Sequence, residues 1–314
     1  MKRFITLFVI IAISATSLFA QKADPDGTYM FAQRDGQDLF LDFYKPSAAG
    51  IEKASGKEMP TIIFIFGGSF SHGSRDADSH RRWFQMMIDE GYSVASIDYR
   101  LGMKDVRNAG VNMQFIKNLQ HAIDIAVEDL YAATNFLIDN HEELGINPEM
   151  LVPAGSSAGA ITALQAEWHI SNADKQASVL PEGFNYAGVM AFSGAVLSMN
   201  GKVKFGKSAC PLGLFHGTVD KMVPYNKISL AGIHFDGSSY LEKSLKKNRR
   251  TYHIYRYADH GHEVSISMPW MMREILEFLD EEVIRKVGSS SDTTVDDSPM
   301  PTPDWAKADF KTLY

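Results

Sequence analysis

The chain has 314 residues, with 31 Lys and Arg against 38 Asp and Glu and a formal charge of −7. That acidic balance disfavours nucleic-acid and anionic-lipid partners, and a single cysteine, Cys210, excludes an internal disulfide. The length suits one large hydrophobic core.

Lys2 and Arg3 precede an apolar run from Phe4 to Ala15, and Ser17-Leu18-Phe19-Ala20 follows. A charged start, a short apolar stretch and a small final residue describe a secretory signal peptide over residues 1–20, cut after Ala20. The alternative is an N-terminal membrane anchor, for which the run is short and interrupted by Thr6, Ser14, Thr16 and Ser17. No cysteine follows the cleavage region, so the expectation is an exported periplasmic or extracellular protein with no stable membrane insertion after cleavage. An exported chain without disulfides suits a bacterial periplasm. Cys210, before Pro211 and an apolar strand, is expected in the core.

Residues 27 to 46 alternate apolar and polar side chains around Asp35-Gly36 and predict a β-hairpin. Residues 47 to 58 are small and polar and predict a loop. Thr61 to Phe66 is a continuous run of β-branched and aromatic residues, the pattern of a strand buried on both faces. Gly67-Gly68-Ser69 follows, then a helix over residues 76 to 90 and a second buried strand over 93 to 98. Residues 102 to 119 read as an irregular insertion over a site. Residues 122 to 140 carry Ile123, Ala126, Val127, Leu130, Ala133 and Leu137 at helical spacing.

Met150 to Ala154 then predicts a strand running into Gly155-Ser156-Ser157-Ala158-Gly159 and a helix. Strand, Gly-x-Ser-x-Gly, helix is the context that exposes a serine hydroxyl on a sharp turn at a helix N-terminus. Further strands are predicted over 187 to 192, 212 to 216 and 251 to 257, and a long amphipathic helix over 268 to 286. Lys246 to Arg250 holds the basic cluster and reads as a solvated helix end. Residues 288–314 begin with a Ser, Thr, Asp and Pro-rich stretch and are expected to be a flexible tail. Alternating buried-type strands and helices predict an α/β domain over residues 21–287, a mostly parallel twisted sheet with helices on both faces.

A serine hydroxyl needs a base, and the base a group that orients it. Asp220 comes just after the strand Leu212 to His216, at the sheet edge where such folds place ligands. Asp259-His260-Gly261-His262-Glu263 follows the last apolar strand. His262, after a glycine, is the expected base and His260 its rival. These histidines with Asp259 and Glu263 also offer a metal pair, but on one short loop without further clustered ligands no metal is expected. Gly67-Gly68-Ser69, directly after the first buried strand, and the Ala158 N–H after the serine are placed to offer backbone donors to a developing oxyanion.

Taken together, Phe66 to Phe70, Asp98-Tyr99-Arg100-Leu101, Glu128-Asp129, Gly155 to Gly159, His216 to Asp220 and Gly261-His262 resemble the α/β-hydrolase superfamily. The resemblance is to serine esterases of the carboxylesterase and hormone-sensitive-lipase-like type, over roughly residues 27 to 286. It implies Ser157 as nucleophile, Asp220 as orienting acid, His262 as general base, an oxyanion hole of Gly68, Ser69 and Ala158, and no cofactor. The family motif usually has histidine where Phe66 stands and glycine where Ser69 stands. The implied substrate is a small-molecule or carbohydrate-linked ester, including acetyl or aromatic acyl groups on plant polysaccharides. The alternatives are a peptidase related to prolyl oligopeptidase, and a catalytically inactive hydrolase fold used for binding. Residues 102 to 120 and 165 to 186, with Trp168 and Phe184, are the expected pocket walls.

Overall fold

The computed structural model describes residues 22–106, 110 and 112–309. The signal-peptide expectation therefore lies outside the described residues. In chain order the strands are β1 (Gly27–Arg34), β2 (Gln37–Tyr44), β3 (Thr61–Ile65), β4 (Ser93–Ile97), β5 (Leu151–Ser156) and β6 (Val189–Phe192). They continue with β7 (Ala195–Ser198), β8 (Leu212–Gly217), β9 (Lys227–Leu230), β10 (Ile233–Gly237), β11 (Tyr252–Tyr257) and β12 (Ser290–Val295). The helices are α1 (Ala48–Ala54), α2 (Asp78–Asp89), α3 (Met113–Asp139), α4 (His141–Leu144), α5 (Ala158–Ser171), α6 (Ser238–Lys247) and α7 (Met272–Phe278).

Among the described residues the main sheet has nine strands in the order β1-β2-β4-β3-β5-β6-β8-β11-β12. The hairpin β1–β2 joins β4 antiparallel, and every later pairing is parallel. β3, β4, β5, β6 and β8 are buried along their whole length. That is why they read as unbroken apolar runs and not as alternations. The chain thus has the α/β-hydrolase fold, with β5 at the centre of the sheet. A second, three-stranded antiparallel sheet, β7-β10-β9, stands beside it.

Three segments differ from the sequence reading. Residues 48–54 form α1, because Ser47 caps it by accepting from the Gly50 N–H at 3.1 Å. α3 begins at Met113, inside the expected insertion, where Asn112 accepts from the Phe115 N–H at 2.9 Å. Its first turns carry Gln114, Lys117, Asn118 and Gln120, which hide the apolar stripe of Phe115 and Leu119. The expected long helix after residue 268 is broken into a single turn at Met268–Trp270, α7, and a wide-turned segment at Leu279–Ile284.

The tail is a larger correction. Residues 290–295 are not flexible but form β12, which pairs in parallel with β11 from Tyr252 to Tyr257. The buried Glu282 carboxylate accepts the Gly288 and Ser289 N–H groups at 2.9 and 3.0 Å and so aims the chain at that edge. Arg256 on β11 then grips Asp292, Nε to Oδ1 at 2.5 Å. Main-chain pairing and one ion pair order a stretch whose composition has little to bury. No helix among the described residues is long and apolar enough to cross a membrane.

α5 is buried nearly all round, which brings Glu167 into the interior with Oε1 accepting from the Cys210 N–H at 3.0 Å. Burial raises the Glu167 pKa to about 8, against the lowering effect of its hydrogen bonds to Cys210 and Asn185. In the unfolded chain a glutamate titrates near 4.3. The folded state therefore holds a proton that the unfolded state releases. Its contribution is complete below about pH 4.3 and is lost as pH rises to about 8. Glu167→Gln is expected to flatten the decline in unfolding free energy between pH 5 and 8, measured by denaturant titration at each pH; an unchanged slope would refute it.

Candidate active site

The turn from β5 into α5 forces Ser157 into φ 50° and ψ −112°. A non-glycine residue there stores about 1–3 kcal/mol of strain, held by the packing around it. A β-carbon at Gly155 would stand 2.1 Å from the backbone of Gly159, and one at Gly159 would stand 2.0 Å from the Ile65 carbonyl oxygen. The two glycines are thus the contact surface between β5, α5 and β3. The Ser157 N–H donates to the Phe192 carbonyl at 2.9 Å, tying the elbow to β6 as well.

His262 follows β11 at the start of a short 3-10 segment, His262–Ile266, with Nε2 2.8 Å from Ser157 Oγ. Its Nδ1 lies 2.8 Å from Asp220 Oδ2. A carboxylate only accepts, so Nδ1 carries the proton and Nε2 accepts from the serine hydroxyl. The other Asp220 oxygen accepts from the Met222 and Val223 N–H groups at 2.9 and 3.1 Å. Burial pushes the Asp220 pKa up, but the adjacent His262 and His216 rings and their hydrogen bonds outweigh it and hold the carboxyl well below the usual carboxylate range. Ser157, Asp220 and His262 are all buried. The structure brings these three residues into one line.

His260 points elsewhere: its Nδ1 lies 2.8 Å from Glu263 Oε1, and Glu263 Oε2 accepts the Gly261 N–H at 2.9 Å. The two loop histidines therefore have separate partners and form no metal pair. Among the described residues, a group close enough to ligate a metal is His253, Glu277 and Glu281, with ligand atoms within 4.8 Å of one another. His253 Nε2 already faces Glu282 and Ser289 at 3.2 and 3.1 Å.

Gly68 and Ser69 follow β3 with φ 124° and 53°, and a β-carbon at Gly68 would stand 2.0 Å from the His72 carbonyl oxygen. Ser69 and Ala158 both border a small cavity beside Ser157 and His262. Phe66, at the position where the family motif has histidine, is buried and stacked on Tyr99, centroids 4.4 Å apart. The Tyr99 hydroxyl donates to the Phe66 carbonyl at 3.0 Å. Arg100 beside it meets Asp129 (Nε to Oδ1, 3.0 Å) and Glu128 (Nη2 to Oε2, 2.8 Å) on α3. Tyr99 thus braces the start of the glycine loop, while Arg100 ties the end of β4 to α3.

Two spaces open at Ser157. The small one, about 20 Å³, is walled by Phe70, Leu119, Ile161, Val223 and Phe235. Leu119 and Phe235 also line an apolar groove of about 720 Å³ with Ile116, Tyr225, Ile228 and Leu230. The second is a cleft of about 430 Å³ reaching from Ser157 and His262 past His80 and Ser265 to Trp305, with hydroxyl and imidazole groups set in a mainly apolar lining. Trp168 and Phe184 line none of these, against expectation. Trp168 Nε1 donates to the Lys204 carbonyl at 3.1 Å, and Phe184 packs edge-on against Tyr186, centroids 5.2 Å apart.

Sequence reasoning gave no role to His216 or Trp305. His216 Nε2 lies 3.3 Å from both Asp220 Oδ2 and the Val223 carbonyl, so it donates, while Nδ1 accepts from the Ser238 hydroxyl at 2.8 Å. A histidine four residues before the acid was a visible signal; for Trp305 there was none.

A strained serine elbow over a parallel sheet, with a histidine and an aspartate in line, is the arrangement that serine esterases with the α/β-hydrolase fold use. The BD-FAE family model matches residues 41–196. Gut esterase 1 of Caenorhabditis elegans is 27% identical over 136 residues, 43% of this chain and 22% of that protein. Carboxylesterase 5A of Mus musculus is 30% identical over 125 residues, 40% of this chain and 19% of that protein. The chain spans about a fifth of the length of these curated relatives. The propionate-bound esterase Est2 of Thermogutta terrifontis superposes with a TM-score of 0.57 at 18% identity, over 81% of this chain and 93% of that one.

His262→Gln is expected to lower kcat by about 10³-fold or more, while His260→Gln stays within about tenfold of wild type, because only the first removes a group hydrogen-bonded to Ser157. Equal losses on a p-nitrophenyl ester, measured per folded molecule, would reverse that assignment.

Proposed function

We propose that the protein is an exported serine hydrolase that cleaves carboxylic esters through an acyl-enzyme on Ser157. The observation that carries this is the unbroken line from Ser157 Oγ to His262 to Asp220, 2.8 Å at each step. The esterase relatives support an ester substrate over the peptidase alternative.

Ser157 Oγ attacks the ester carbonyl as His262 Nε2 takes its proton. The imidazolium that forms is stabilised by Asp220, which keeps Nδ1–H oriented. The carbonyl oxygen becomes an oxyanion, received by the N–H groups of Ala158, at the α5 N-terminus, and of Gly68 and Ser69. Collapse breaks the ester C–O bond, and His262 returns its proton to the leaving alkoxide. Water deprotonated by His262 then attacks the acyl carbon and releases the acid. The chain needs no cofactor for these steps.

The two spaces divide the substrate. A cavity of about 20 Å³ has room for little beyond one water-sized group, which suits an acetyl methyl. The larger cleft suits the alcohol, and hydroxyl and imidazole groups within its mainly apolar lining fit deacetylation of a plant carbohydrate, whose rings carry both C–H faces and hydroxyls.

Ser157→Ala is expected to abolish p-nitrophenyl acetate hydrolysis and labelling by a fluorophosphonate probe; retained activity would end the mechanism. Acetate is expected to exceed butyrate by about tenfold or more in kcat/KM, and Phe235→Ala to narrow that ratio by joining the small cavity to the groove. Because Asp220 is held ionised far into acid, log kcat/KM is expected to fall below the optimum with a slope of one proton, and a two-proton slope would contradict it.

A further inference from the structure

After β12 the chain returns to the site. Met300 and Ala306 are buried, and a single helical turn, Asp304–Lys307, is closed by Ala306 N–H to the Pro303 carbonyl and Ala308 N–H to the Trp305 carbonyl, each 3.0 Å. The Ala306 carbonyl oxygen packs so closely on Gly261 that a β-carbon there would approach it to 2.4 Å. Gly261 immediately precedes His262. Backbone contact with the histidine loop thus fixes where this turn sits.

That placement leaves Trp305 44% exposed in the lining of the cleft that contains Ser157 and His262. An indole carried on that turn beside open space, in the same cleft as Ser157 and His262, is a surface for something planar or ring-shaped. Such a face stacks on the C–H side of a ring while the ring's hydroxyls reach polar walls. Those walls are present: Ser79, Ser265, His72 and His80 line the same cleft. Burial pushes the His80 pKa down to about 4, so at neutral pH the ring is an uncharged hydrogen-bonding group. A polyhydroxy ring matches this set, with C–H faces for the indole and hydroxyls for the serine and imidazole groups.

We infer that the C-terminal segment builds the alcohol-side subsite, with Trp305 as the residue that selects esters of polar, ring-shaped alcohols. This rests on the reading of Ser157 as the nucleophile, and the two separate in experiment. A small alcohol does not span the cleft, so ethyl acetate tests Ser157 without engaging Trp305.

The test measures kcat/KM for ethyl acetate and for a fully acetylated xylopyranose in wild type, Trp305→Ala, Trp305→Leu and Trp305→Phe. Loss of the stacking face is expected to raise KM for the sugar ester by about 3- to 10-fold in the Ala and Leu variants. Trp305→Phe keeps a ring and is expected to retain most of the wild-type value, and ethyl acetate is expected to be unchanged in all three. Trp305→Leu keeps apolar bulk, so it separates loss of the ring from loss of folding. Equal losses on both esters would assign Trp305 to support of the His262 loop and overturn the inference. No loss on either, or a gain on both as from removal of a strap, would overturn it equally. A wild-type protein that leaves ethyl acetate intact would instead overturn the Ser157 reading.

Discussion

The structure depends on one close approach, where the end of β5, the first turn of α5 and the end of β3 meet with no side chain between them. Gly155 and Gly159 supply that surface, since a β-carbon on either would overlap backbone by well over an ångström. The approach packs α5 onto the sheet centre, forces Ser157 into its strained conformation, and brings the loop after β3 beside it. Positive φ at Ser157, Gly68 and Ser69 is one constraint seen at two points. Neighbouring contacts hold both turns, so the strain is stored at the two turns that border the cleft beside His262.

Around that contact, buried polar groups hold each loop from behind. Tyr99 and Phe66 brace the glycine loop, and Arg100 pins the end of β4 to α3 through Asp129 and Glu128. His216 and the Met222 and Val223 amides brace Asp220, and Glu263 closes the turn that carries His262. Tyr99, Arg100, Asp220 and Glu263 each have partners that fix their direction, so these networks specify geometry more than they add stability. Aromatic packing supplies the rigid floor: Phe64, Trp83, Phe84 and Phe192 interlock beneath the strands.

The edge of the sheet has a different logic. β12 has Ser, Asp and Thr with a single Val, and its faces are exposed or half-buried. It is ordered because β11 offers unpaired main-chain groups and Arg256 offers a charge. Covering that edge also removes an open template for aggregation. Its further effect is to return the chain to the mouth of the site, where Trp305 and Ala308 line the cleft.

The sequence by itself determined the buried strands, their alternation with helices, and the order of a serine elbow, a post-strand acid and a late Gly-His. Those properties are local: unbroken apolar runs, a glycine at each side of a serine, and a strand end a few residues before a charge. The polar start of α3 and the composition of residues 288–303 misled for the same reason, because caps and edge pairing lie outside hydropathy. Only the tertiary structure decided that His262 and not His260 faces Ser157, since His260 is claimed by Glu263. It alone placed His216 against Asp220 and moved Trp168 and Phe184 away from the site. Trp305 lies 148 residues beyond Ser157 in a tail with no periodicity, and only β12 brings it back. Residue type and spacing carry the chemistry of one segment, whereas partners that meet across the fold are chosen by packing.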